Sequence, residues 1–170
     1  DVHETIEKAA VNAQRNPADI TLVAVSKTHP VETVQMALEL GHRVFGENKV
    51  QEAEEKWPML KEAYPDSIVH LIGPLQSNKT KRAVQLFEVI ETVDRRKLAR
   101  ALARDMDSIS KRPDCYIQIN TGEEPQKAGV LPLEADAFIA ECRDVLQLPV
   151  LGLMCIPPAY ENPALHFGLL

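Results

Sequence analysis

The sequence predicts an α/β fold built on a parallel sheet, and three observations carry that prediction. Six short apolar runs recur along the chain, several rich in Val and Ile. Amphipathic helical stretches separate them, and strict βα alternation implies parallel strands joined by crossovers. No G-x-G-x-x-G follows the first run, which removes the main reason to choose a dinucleotide-type sheet. At this level a (β/α)8 barrel and a doubly wound sheet both remain open.

The elements follow in order. A leading helix is expected over residues 2–15, then the first run, Ile20–Val25. Pro30 suits the first turn of the next helix and Gly41 its end, with Val31, Val34 and Leu38 on one face. The run His42–Phe45 precedes a helix whose stripe is Val50, Ala53, Trp57 and Leu60. After Ile68–Ile72, Ser77 and Asn78 are good N-caps for a further helix. After Phe87–Val93, Asp94 is a good N-cap for a helix with Leu98, Ala101, Leu102 and Met106 inward. Cys115–Ile119 is the fifth run. Pro132 then opens a helix facing inward with Ala135, Phe138, Ile139, Cys142 and Leu146. Val150–Met154 is the sixth run, and Pro163–Leu170 is helical again.

Composition narrows the class. The 170 residues suit one domain, residues 1–170, with 45% apolar residues and ordinary charge content. Twenty-five acids against 19 bases give a net charge of −6, which argues against a nucleic-acid surface while leaving room for a local basic patch. No apolar run reaches the ~20 residues a membrane span needs, and residues 1–16 do not read as a signal peptide. Cys115, Cys142 and Cys155 are scattered, without C-x-x-C, which fits buried thiols in a reducing cytoplasm rather than disulfides or zinc.

In parallel barrels, chemistry gathers where strands end. Ser26, Lys27, Thr28 and His29 follow the first run, and Glu47 and Asn48 the second. Lys27 directly follows a run that should be buried. A lysine losing hydration there would hold a lowered pKa, and its free amine could attack an aldehyde to give a Schiff base. By position alone the plainer reading is a solvated lysine starting a loop, since lysines commonly follow strands. Glu47 reads as an acid at a helix start, Asn48 as a group facing a ligand, and His70 as a packed strand histidine. Lys79, Lys81 and Arg82 read as a solvated helix face, and Trp57 and Met106 as core.

The segments LVAVSKT (22–28), FGENKVQE (45–52), HLIGPLQSNK (70–79) and GLMCIP (152–157) stand in one order along nearly the whole chain. With Asn120, Thr121 and Gly122, and Lys127 to Gly129, they resemble the pyridoxal phosphate homeostasis protein family. That resemblance implies a barrel like the N-terminal domain of alanine racemase. It implies pyridoxal 5'-phosphate (PLP) bound by Lys27 as a Schiff base, Asn48 near the cofactor ring, and His70 and Met154 lining the pocket. It further implies a non-catalytic role in intracellular PLP homeostasis, in the cytoplasm, with PLP-dependent apoenzymes as recipients. Some relatives carry a second lysine where this chain has His29; Lys127 remains a candidate transient acceptor.

A full (β/α)8 barrel takes about 250 residues, so the expected architecture is a TIM-type barrel cut off after about six βα units. The phosphate-binding loops of the resembling family would then lie beyond Leu170. Two enzymatic alternatives stand beside the cofactor-holding role. A PLP-dependent amino-acid racemase needs an acid–base group on each face of its substrate, and Tyr64, Tyr116 and Tyr160 are not at convincing rim positions. An aldolase-like Schiff-base barrel would pair Lys27 with Glu47.

Overall fold

The computed structural model describes all 170 residues. Six parallel strands form one sheet in chain order: β1 (Ala24–Val25), β2 (Val44–Glu47), β3 (Ile68–Leu71), β4 (Val89–Val93), β5 (Asp114–Gln118) and β6 (Val150–Met154). The helices are α1 (Val2–Asn12), α2 (Val31–Glu39), α3 (Val50–Ala63), α4 (Thr80–Leu86), α5 (Arg96–Ile109), α6 (Pro132–Ala140) and α7 (Pro163–Leu169). A doubly wound sheet reverses its strand order partway. This one never does, which resolves the choice between the two architectures in favour of barrel winding. Thr21 and Val23, beside the first strand, share one cavity with Leu153 and Met154 of the last. The sheet therefore curls.

Alternation sorts the two faces of each strand. Phe45 and Glu47, like Val69 and Leu71, are buried on the helix side. Val44, Ile68 and His70 turn inward and line the cavity. A single cluster of 27 buried residues fills the space between sheet and helices. In it, Trp57 lies 5.1 Å from Phe45 between ring centroids. Of the expected helix stripes, Val34 and Leu38; Val50, Ala53, Trp57 and Leu60; Leu98, Ala101, Leu102 and Met106; and Phe138 and Cys142 are buried, while Val31, Ala135, Ile139 and Leu146 are half-buried against the core. No helix is long and apolar enough to cross a membrane.

Several local expectations are corrected. The first run pairs over only two residues, extended by the Ser26 N–H donating to the Gly46 carbonyl at 2.9 Å. An edge strand has one ladder partner, and Ile20 to Val23 lie outside it. Asp94 does not cap α5; its carboxylate pairs with the Arg95 side chain. Ser77 and Asn78 do not cap α4, which starts at Thr80; the Thr80 hydroxyl donates back to the Ser77 carbonyl at 3.0 Å. The leading helix ends at Asn12, and Gln14 beyond it takes a positive φ.

Candidate functional site

Parallel pairing brings the strand ends to one rim. Val25 is in register with Gly46, and Gly46 with His70. Two residues further along these chains come Lys27, Asn48 and Ile72. Lys27 and Asn48 therefore stand on neighbouring strand ends, one layer above His70. Gly73 closes this corner: a Cβ there would lie 2.2 Å from the Asn48 carbonyl oxygen.

The loop carrying Lys27 is held from α3. Lys56, buried on that helix, donates from Nζ to the Ser26 carbonyl at 2.8 Å and the His29 carbonyl at 3.3 Å. The same ammonium lies 2.8 Å from Glu47 Oε1 and 2.9 Å from Glu52 Oε1. Glu52 in turn accepts the Thr28 N–H. Glu47 Oε1 accepts the Ser26 hydroxyl at 2.8 Å and the Trp57 indole N–H at 3.2 Å. Residues 26, 28 and 29 are thus held through their backbones, Ser26 also through its hydroxyl, while the Lys27 amine between them makes no hydrogen bond or ion pair. Thr28 takes a φ of 62°, an uncommon conformation for a β-branched residue. Burial pushes the Glu52 carboxyl up, but hydrogen bonds from Lys56 and Thr28 outweigh it and the net shift is downward.

Two expectations change here. Glu47 is not a helix-start acid: it is the last residue of β2, fully buried against α3, with Oε2 lacking a partner. It faces the helix layer, away from the strand face that carries Lys27. Lys27 itself is exposed and forms no ion pair, so the desolvation expected of it does not occur in this structure.

His70 and Met154 share a cavity of about 650 Å³ on the inner face, which Glu91 and Tyr116 also line. His70 Nδ1 lies 2.6 Å from Glu91 Oε1. Met154 ends β6, at the sheet edge opposite β1, in register with Gln118. Lys27 and Asn48 line neither this cavity nor its walls. The four expected residues thus fall into two pairs: Lys27 with Asn48 at the rim, and His70 with Met154 inside. Lys127 is not free, since its Nζ lies 2.5 Å from Glu124 Oε2.

Lys56 and Glu91 were not singled out from the sequence. A signal existed for each. Lys56 is a cation at an inward position of the α3 stripe, and Glu91 is an acid in the middle of an apolar strand.

A family model described as alanine racemase, N-terminal domain, matches residues 5–167. The pyridoxal phosphate homeostasis protein of Pasteurella multocida is 37% identical over 163 residues, covering 96% of this chain and 70% of that one. Its counterpart in Vibrio alginolyticus is 42% identical over 147 residues, covering 84% and 62%. The chain therefore spans about two thirds of the length of these relatives. Among solved structures, PipY of Synechococcus elongatus with PLP bound superposes with a TM-score of 0.80 at 35% identity, covering 96% of this chain and 76% of that one. Alanine racemase of Clostridium difficile, at 14% identity and a TM-score of 0.70, shares the fold.

Proposed function

The chain belongs to the pyridoxal phosphate homeostasis proteins of the alanine racemase N-terminal domain family, and from that premise we propose that Lys27 holds PLP covalently. The observation that carries the proposal is the contrast at residues 26–29. The backbone on both sides of Lys27 is pinned by Lys56 and Glu52, while the Lys27 amine is exposed and unpaired. A pinned base with a free nucleophile fits a bound aldehyde. Bound there, the cofactor would supply an aldehyde, an electrophile that the Lys27 amine would hold covalently.

The other residues orient and enclose. Asn48 offers an amide donor and acceptor on the neighbouring strand end. His70, with Nδ1 engaged by Glu91, and Met154 wall the interior below. The role is to hold and release the cofactor, with PLP-dependent apoenzymes as recipients. Racemisation would need a second acid–base group at the rim. Tyr116 lies mid-strand in register with Gly152, Tyr64 packs under Arg43, and Tyr160 is fully exposed. The free thiols of Cys115, Cys142 and Cys155 support a reducing, cytoplasmic setting. Residues 1–170 are read as one unit around one core.

Incubation with PLP should give a visible absorption band that borohydride bleaches, fixing the cofactor to the peptide containing Lys27. If Lys27→Ala forms the same reducible adduct, the assignment is wrong.

A further inference from the structure

The chain carries more acids than bases, yet one surface collects cations. Lys97, Arg100 and Arg104 follow one another on α5 at spacings of three and four, so they share a face. They line a cleft of about 1060 Å³ with Arg95 and Gln76. A second cleft, of about 710 Å³, is lined by Asn48, Lys49 and Lys79 and meets the first at Gln76 and Arg95. Together they form a trough with six cations and no carboxylate along its lining. Three carboxylates touch the trough's guanidiniums without lining it: Asp94 on Arg95, Glu141 on Arg100 and Asp105 on Arg104. A guanidinium has five N–H donors, so each keeps some for the trough. Lys49, Lys79 and Lys97 have no ion pair. Like charges at helical spacings of three and four destabilise a helix, so the stability of α5 does not explain the stripe.

We propose that this trough docks an acidic surface of the protein that receives the cofactor. The proposal rests on the Lys27 reading, because Asn48 borders the trough and stands beside Lys27 at the rim. An occupant would sit against the mouth of the site, where a transferred cofactor must leave. No aromatic side chain lines either cleft, so nucleic-acid bases would find no stacking platform. One small anion would use one or two of the six cations. An extended acidic face matches the whole row, and such complementarity steers encounter.

The test uses the full chain loaded with PLP and three probes: a fluorescent 20-residue polyglutamate, a 20-nucleotide oligo-dT, and inorganic phosphate. Polyglutamate should bind and weaken with added salt. It should lose about tenfold or more in affinity in the triple variant Lys97→Glu, Arg100→Glu, Arg104→Glu, while the visible band is unchanged. The pair Lys49→Glu, Lys79→Glu, made in the loops, should weaken it independently, which covers a folding failure of the α5 variant. Unchanged binding in both variants overturns the proposal. So does tighter binding of oligo-dT than of polyglutamate, or displacement of polyglutamate by millimolar phosphate. A missing visible band with intact polyglutamate binding strikes the Lys27 reading instead.

Discussion

Lys56 Nζ sits 2.8 Å from the carbonyl oxygen of Ser26, so the segment presenting Lys27 hangs from α3 as well as from the sheet. The strand beneath it pairs over only two residues, and the helix supplies the rigidity that so short an edge strand lacks. Replacing Lys56 with Met leaves Glu47 buried without its cation. Breaking a buried pair from one side costs about 3–5 kcal/mol. Lys56→Met should lower the urea midpoint accordingly. At a urea-free pH where the variant is still folded, it should also slow borohydride-trappable attachment of PLP to Lys27. Lys56→Arg should recover stability in part but not the trapping rate, because a guanidinium cannot reproduce the same four contacts in that space.

Acid should weaken the same clamp. Glu52 has a folded-state pKa below its usual 4.5: burial raises it, and the Lys56 and Thr28 hydrogen bonds more than reverse that. Asp105 lies below its usual 3.8 for the same kind of reason, burial being outweighed by Arg104 and the Thr80 hydroxyl. Depressed carboxyls stabilise the fold fully above their unfolded values, and that stability is lost as pH falls through the folded ones. Denaturation midpoints measured from pH 7 downward should hold steady until about pH 4.5 and then decline. In Glu52→Gln the first part of that decline should flatten.

Periodicity made the helix faces legible, because burial of one stripe leaves a repeat of three and four in the sequence. Val50, Ala53, Trp57 and Leu60 are an example, and all four are buried. The rim position of Lys27 was legible for a similar reason, since it follows an apolar run. The identity of its supports was not. Glu47 looks the same in sequence whether it faces a ligand or a helix; a one-residue difference in strand phase decides. The pairing of His70 with Glu91 requires knowing that β3 and β4 are neighbours and in what register, and Lys56 required weighing one cation against an apolar stripe. Asp94, Ser77 and Asn78 had good capping chemistry, but the Asp94 carboxylate pairs with Arg95, the Ser77 carbonyl accepts from Thr80, and α4 begins only at Thr80, past both Ser77 and Asn78.

Thiol chemistry should report the packing of the core. Cys115 and Cys142 are fully buried, and burial pushes both up to about 12. Cys155 follows β6, is partly exposed, and is raised by burial, which the nearby Thr121 hydroxyl only partly offsets. The thiolate is the reactive form. A disulfide reagent at pH 8 should therefore modify one thiol in the native protein, slowly, and all three in urea. Cys155→Ser should abolish the native reaction; rapid modification of Cys115 or Cys142 in the folded state would contradict the core described.

Gly73 should be the least replaceable glycine of the rim. A Cβ there would meet the Asn48 carbonyl oxygen at 2.2 Å and the Asn48 Cα at 2.6 Å. Those are backbone atoms, which cannot rotate away as a side chain could. Relief would require moving the end of β2 against β3, and overpacking of this kind costs about 1–3 kcal/mol. The displacement falls on Asn48, one strand from Lys27. Gly73→Ala should therefore lower the unfolding midpoint and shorten the half-time for PLP loss on dialysis, both together. Gly168→Ala, with nothing within 4 Å of the new Cβ, should leave both unchanged. If Gly73→Ala lowers stability while PLP is retained at the wild-type rate, Asn48 does not contribute to holding the cofactor and its place in the site is wrong.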